Sequence, residues 1–153
     1  MLSGSPTRAL RHAHSCSLWG PQPRPLTAWW HCFPNARAAI INGSKTTTDA
    51  DFVHLKGLRK LNMWGCDQPT ITDAAFVHLQ GIHTLEIAGC DQHTITDAAF
   101  MYFDGIHTLN MADCNQPIIT DGVTLPVALR GSINGSWRCK AGLKAEGLVV
   151  KKG

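Results

Sequence analysis

The stretch from Thr47 to Ile118 is one 24-residue pattern written three times, as units 47–70, 71–94 and 95–118. TTDADFVHLKGLRKLNMWGCDQPT and ITDAAFVHLQGIHTLEIAGCDQHT share 14 of 24 positions, and the latter shares 14 with ITDAAFMYFDGIHTLNMADCNQPI. A unit this short cannot bury an apolar face by itself. A fixed period in this range therefore dictates stacking of like units into a solenoid, in which each contacts only its neighbours.

Within each unit apolar residues fall at Leu58, Leu61, Met63 and Cys66, then Ile82, Leu85, Ile87 and Cys90, then Ile106, Leu109, Met111 and Cys114. The inner pair alternates with period two, which predicts a short strand with one buried face. A polar turn follows each Cys, at Asp67-Gln68-Pro69, Asp91-Gln92-His93 and Asn115-Gln116-Pro117. Thr-Asp-Ala then opens a segment with Phe76 and Leu79, or Phe100 and Phe103, three apart, which is helical spacing. Thr72 or Asp73 suits its N-cap. Asp49, Asp73, Asp97 and Asp121 read as charges at helix N-termini, and Gly57, Gly81 and Gly105 as left-handed stops behind the helix. Each unit is thus predicted as strand, turn, short helix, turn.

The L-x-x-L-x-L-x-x-C spacing resembles a leucine-rich repeat, and the Cys followed by Ile-Thr-Asp resembles its cysteine-containing subfamily, as in F-box and related ubiquitin-ligase substrate receptors. The resemblance covers 72 of 153 residues. It implies an α/β fold, a short leucine-rich-repeat solenoid with parallel strands on the concave face, short helices on the convex face and irregular flanks. Asn is the commoner occupant of the Cys position in the resembled repeat. Asn42 lies seven residues before Asp49, the spacing of Cys66 to Asp73, and Arg37 then falls where Leu61 would be. Residues 34–46 accordingly read as a degraded half-unit.

The rest of residues 1–46 is a basic, Pro-containing N-terminal segment, expected to be disordered, in which no F-box helical bundle can be read. Residues 119–153 read as a degenerate fourth unit and a basic tail. Ile119-Thr120-Asp121 opens that unit, Pro126 would sit inside its helix, and the pattern is lost beyond. The net charge of +3 hides a division: the N-terminal segment holds five Lys or Arg and no acid, the repeats three against nine acids, and the tail six against two. An acidic array is a poor phosphate-binding surface, which argues against nucleic acid as a partner. No apolar run reaches the 18 or more residues of a membrane span. The N-terminus carries no continuous apolar signal core. The expected location is cytoplasmic, with organelle targeting through the acid-free, Arg- and Ser-bearing N-terminus as the alternative.

Periodic residues are expected to be framework. Cys66, Cys90 and Cys114 read as small buried thiols, and His54, His78, His83 and His107 as partly exposed surface. His12, His14, Cys16, His31 and Cys32 form the one aperiodic His/Cys group, with a spacing that matches no zinc site. The Asn-Gly-Ser triplets at Asn42 and Asn134 fit glycosylation acceptors but read as turns, and Trp29-Trp30 as packing on the first unit or staying disordered. No catalytic residues, cofactor or metal are predicted. Strand alternation points Lys60, Asn62 and Trp64 outward on the first unit, Thr84 and Glu86 on the second, Thr108 and Asn110 on the third, with Ala88 and Ala112 completing the last column. These positions vary while the framework repeats, and Trp64 is the expected anchor for a protein partner. Three strands about 4.8 Å apart span only roughly 15 Å, well short of the ~800 Å² per partner of a stable interface, so binding by this face alone should be weak. The expected function is a noncatalytic, monomeric protein-interaction scaffold. The alternative is a repeat-expansion fragment with no specific partner.

Overall fold

A computed structural model describes residues 34–114 in full and the backbone alone of three further strands. The His/Cys group at 12–32, Trp29-Trp30 and the segment around Asp121 and Pro126 thus lie outside the fully described residues. The chain is mixed α/β, an all-parallel sheet with short helices. The strands are β1 (Ser15–Ser17), β2 (Ala38–Ile40), β3 (Lys60–Asn62), β4 (Thr84–Glu86), β5 (Thr108–Asn110), β6 (Ser132–Asn134) and β7 (Val149–Lys151), paired in chain order. Four of them, β2 to β5, lie within the fully described stretch.

Register follows the repeat. Leu61 pairs with Leu85 and Leu85 with Leu109, so the central Leu of each strand points to one face, where all three are fully buried. Pairing runs past the three-residue strands: Met63 N–H donates to Glu86 O at 2.8 Å and Gly65 N–H to Ala88 O at 2.9 Å, with the same bonds repeated from Ile87 to Asn110 and from Gly89 to Ala112. Backbone groups of the strand and its exit turn are thereby satisfied by the next unit.

The pairing of β2 with β3 corrects the half-unit reading. Ala39, not Arg37, stands opposite Leu61, an offset of 22 residues where β3–β4 and β4–β5 are offset by 24. Ser44 rather than Asn42 consequently occupies the Cys66 position, in the same turn geometry: Ser44 N–H donates to Ile41 O at 3.2 Å as Cys66 N–H does to Met63 O at 3.1 Å. The two missing residues come out of the polar turn, which leaves three residues between Ser44 and Thr48 where five lie between Cys66 and Thr72. Ala39 and Ile41 are buried in the common core, so residues 38–44 extend the array by a working strand. At the other end, β6 continues the parallel pairing at the 24-residue step, beyond the point where the sequence pattern stops being readable.

Behind the sheet lie short helical segments, Asp49–Leu55, Asp73–Phe76 running on into Val77–Leu79, and Asp97–Tyr102. Most of this is 3-10 rather than α-helix, which fits the three-residue spacing of Phe52/Leu55, Phe76/Leu79 and Phe100/Phe103, since residues three apart eclipse in a 3-10 turn. All six side chains are buried, and the rings pack across units, Phe52 to Phe76 at 6.1 Å and Phe76 to Phe103 at 5.5 Å between centroids. The helix is closed by a type II β-turn rather than a left-handed cap. Gln80 lies at φ −54, ψ 131 and Gly81 at φ 80, with Ile82 N–H donating to Leu79 O at 3.0 Å. A positive φ at the third residue of that turn is what selects Gly.

Thr72 and Thr96 are the N-caps, each accepting from the amide two residues on, Ala74 or Ala98, at 3.2 Å. The aspartates beside them do more than face a helix dipole. Asp49 accepts from the N–H and the hydroxyl of Thr72, and Asp73 from those of Thr96, all four bonds at 2.7 Å. The acid of one unit thus clamps the cap of the next. Thr48 instead takes its clamp from its own unit, because Asp51 accepts from Thr48 N–H at 2.8 Å and from its hydroxyl at 3.0 Å. Asp51 replaces the Ala found at 75 and 99.

Candidate binding surface on the sheet

The outward face of β2 to β5 carries three columns set by the strand register. Ala38, Lys60, Thr84 and Thr108 form the first, Ile40, Asn62, Glu86 and Asn110 the second. The exit turns contribute the third, Asn42, Trp64, Ala88 and Ala112. All seven predicted contact residues therefore share one face of one sheet, with Lys60 and Trp64 exposed and the others half-buried.

Three of them form a network across β3 and β4. Glu86 accepts from the Asn62 amide at 2.8 Å through one carboxylate oxygen and pairs with the Lys60 ammonium at 3.3 Å through the other. Asn62 and Glu86 are directly opposed and Lys60 is diagonal to Glu86, the geometry in which cross-strand pairs interact. Lys60 is half exposed, so the pair contributes little stability. It does fix the three head groups relative to one another.

Trp64 stands at the exit of β3 and is 52% exposed. Its backbone N–H is held by the side-chain oxygens of both Asn42 and Asn62, each at 3.1 Å. The indole leans along the array, with Nε1 3.5 Å from where a Cβ on Gly89 would lie. A Cβ there would make only an ordinary contact with the ring, and what selects glycine at 89 is its φ of +66. Ala88 and Ala112 replace Trp64 in the next units, so one aromatic dominates the column.

The remaining predicted residues are partly tied up within the fold. Asn110 accepts from Ala112 N–H at 3.1 Å, repeating the bond of Asn62 to Trp64. The Thr84 and Thr108 hydroxyls lie 3.4 and 3.1 Å from Nδ1 of the preceding histidines. His83 and His107 stack at 4.6 Å with planes 8° apart, both exposed. They continue a column that begins with Arg37 and Arg59 at the head of the strands. Sequence reading misses Asn42 as a neighbour of Trp64 because the 22-residue offset hides its column; the shared turn pattern Ile41-Asn42-Gly43 and Met63-Trp64-Gly65 is the signal that finds it.

The three cysteines lie on the opposite side of the strands, in the core. Cys66, Cys90 and Cys114 donate their S–H to Ile41, Met63 and Ile87 O at 3.1, 3.2 and 3.0 Å. Burial pushes the Cys66 and Cys114 thiols up to about 11 and raises Cys90 as well. They are held as neutral donors rather than nucleophiles. In the exposed polar turn the Lys45 ammonium beside Asp67 lowers that carboxyl below its ordinary value. Among the described residues no group of three or more His, Cys, Asp or Glu is placed to hold a metal ion, and no helix is long and apolar enough to cross a membrane. Comparisons with protein-family models, with curated proteins and with solved structures found no match to the chain.

Proposed function

We propose that the repeated units form a leucine-rich-repeat solenoid of the cysteine-containing type, and that the chain is a noncatalytic scaffold whose outward sheet face binds a protein. A kinship with ubiquitin-ligase substrate receptors belongs to the same reading. Support for the architecture is the one-strand-per-unit register, with strand, exit turn and helix cap each bonded to the equivalent element of the next unit. The observation that carries the binding role is Trp64, a half-exposed aromatic whose backbone N–H is held by two asparagines, beside a pre-formed Lys60–Glu86–Asn62 network. Ordering these groups in advance reduces the entropy lost on binding, and a rigid amphipathic ring is a favoured anchor. Thr84, Thr108 and Asn110 extend the face away from the anchor. Cys66, Cys90 and Cys114 as free thiols suit the reducing cytoplasm.

The test immobilises the full chain and compares proteins captured from cell extract by the natural sequence, Trp64→Ala and Lys60→Glu, after equal thermal melting of all three has been established. Loss of at least one specifically captured protein by Trp64→Ala is expected. An identical captured set for all three chains would remove the sheet face from consideration.

A further inference from the structure

The opposite face of the array carries a second ordered surface. Val53, Val77 and Met101 are exposed to 48%, 39% and 65% and lie one unit apart on the helical side. Ala50, Ala74 and Ala98, three residues before each, are exposed as well. Here the framework repeats an apolar residue at a solvent-facing position, whereas the buried Phe and Leu of the same segments already supply the core. Three residues further on lies a column of different character: Lys56, Gln80 and Asp104, all exposed. Among the described residues neither Lys56 nor Asp104 takes part in an ion pair.

The order plus, neutral, minus along one column is complementary to its own reverse. We propose that this helical face binds a second copy of the chain, about a two-fold axis that lies in the interface and crosses the array at the middle unit. Such an axis lays each column on itself in reverse. Lys56 then meets Asp104 of the second copy at both ends, Gln80 meets Gln80, and Val77 meets Val77 at the centre, with Val53 on Met101. An axis along the array would instead leave the unit order unreversed, and Lys56 would face no acid in its own column. The aspartate column at 49, 73 and 97 also falls on itself, but it forms the edge of the face. Asp49 and Asp73 turn their carboxylates along the array into Thr72 and Thr96, not toward the second copy.

The apolar patch is on the order of a few hundred Å², below the ~800 Å² per partner of a stable complex. The dimer is therefore weak, with a dissociation constant on the order of 10⁻⁴ M. It uses a surface separate from the sheet face and does not depend on the binding role proposed there.

Sedimentation equilibrium of the full chain from about 10 μM to 1 mM tests the proposal, with thermal melts of every variant as the folding control. The average mass should climb toward twice the chain mass. Lys56→Asp and Asp104→Lys should each weaken association about tenfold, since each turns two attractions into two repulsions. The double variant Lys56→Asp/Asp104→Lys merely inverts the column and should associate like the natural chain. A mixture of the two single variants should associate more tightly than either alone. Val77→Arg, at the centre, should abolish association, and Trp64→Ala should leave it unchanged. A natural chain that stays monomeric across the range would overturn the proposal, as would single reversals without effect, a folded double variant that fails to recover, or loss of association in Trp64→Ala.

Discussion

Removing the Asp73 carboxylate should unfasten two units at once. Its oxygens accept from the N–H and the hydroxyl of Thr96 at 2.7 Å each, and the same hydroxyl oxygen accepts from Ala98 N–H at 3.2 Å. The chain of bonds therefore runs from the start of one helical segment to the cap of the next. Hydrogen bonds to a charged group contribute about 1.5–3 kcal/mol each. Thr96 is half-buried, so its freed groups recover part of this from water, and the net loss for Asp73→Ala should be about 2–3 kcal/mol rather than the full sum. For an ordered region of this size 1 kcal/mol corresponds to roughly 4–8 °C, which puts the fall in Tm at about 10–20 °C. Asp73→Asn keeps the shape and one acceptor while losing the charge, and should cost about 1 kcal/mol. A double-mutant cycle of Asp73→Ala with Thr96→Val should return a coupling of at least about 1 kcal/mol. Circular dichroism melts and urea titrations of the full chain measure all three. An Asp73→Ala variant within about 0.5 kcal/mol of the natural chain, the range of ordinary surface substitutions, would refute the clamp as a structural element.

Other consequences follow from the same bonds and burials. Cys66 and Cys114 are pushed from an ordinary value of 9.0 to about 11, so between those values the folded state holds protons the unfolded chain has lost. Stability should fall as pH rises through 9 to 11, by up to about 1.4 kcal/mol per pH unit per thiol; denaturant titrations of Cys66→Ala should show a shallower fall, and an unchanged slope would contradict the assignment. The Gln92 amide is buried with neither its oxygen nor its nitrogen hydrogen-bonded among the described residues, whereas Gln68 donates to Thr47 O at 3.2 Å. Gln92→Met should therefore stabilise by about 1 kcal/mol or more, and a destabilised variant would show that the amide is satisfied. Gly81→Ala meets no neighbour within 4 Å but carries φ +80, so its cost should be backbone strain alone, about 1–2 kcal/mol by urea titration. A neutral result would count against the type II turn.

Much of the fold was legible because its determinants are local and recur. Leu61, Leu85 and Leu109 announce a one-sided strand by alternation, and Thr72 announces a cap by its position before Asp-Ala-Ala. Gly81 announces a positive φ, though the sequence does not distinguish a helix stop from a type II turn. Contacts between units were less accessible. Asp73 and Thr96 are 23 residues apart, and nothing in either unit alone separates a clamp from a charge at a helix end. Asp51 looks like an unexplained exception to Ala75 and Ala99 until the array is seen to need a self-contained clamp at Thr48. Likewise the 22-residue step from β2 to β3 hides the columns of Ala39, Ile41 and Ser44, because a period fixed at 24 puts Arg37, Ala39 and Asn42 in them. On the candidate surface, alternation placed all seven residues on one face. It could not show that Asn62 and Asn110 also hold their own exit turns, or that Trp64 lies toward Gly89. The exposed Val53, Val77 and Met101 repeat as regularly as the core does, so regularity alone did not separate them from framework.

The proposed binding through the outward face requires that Trp64 be covered by the partner. Hydroxyl-radical footprinting of a captured complex measures this directly, because the indole is half exposed in the free chain and oxidises readily. Oxidation of Trp64 should fall several-fold on binding while Met101, on the helical face, keeps its free-chain reactivity. Equal Trp64 oxidation in the free and bound chains would contradict the account.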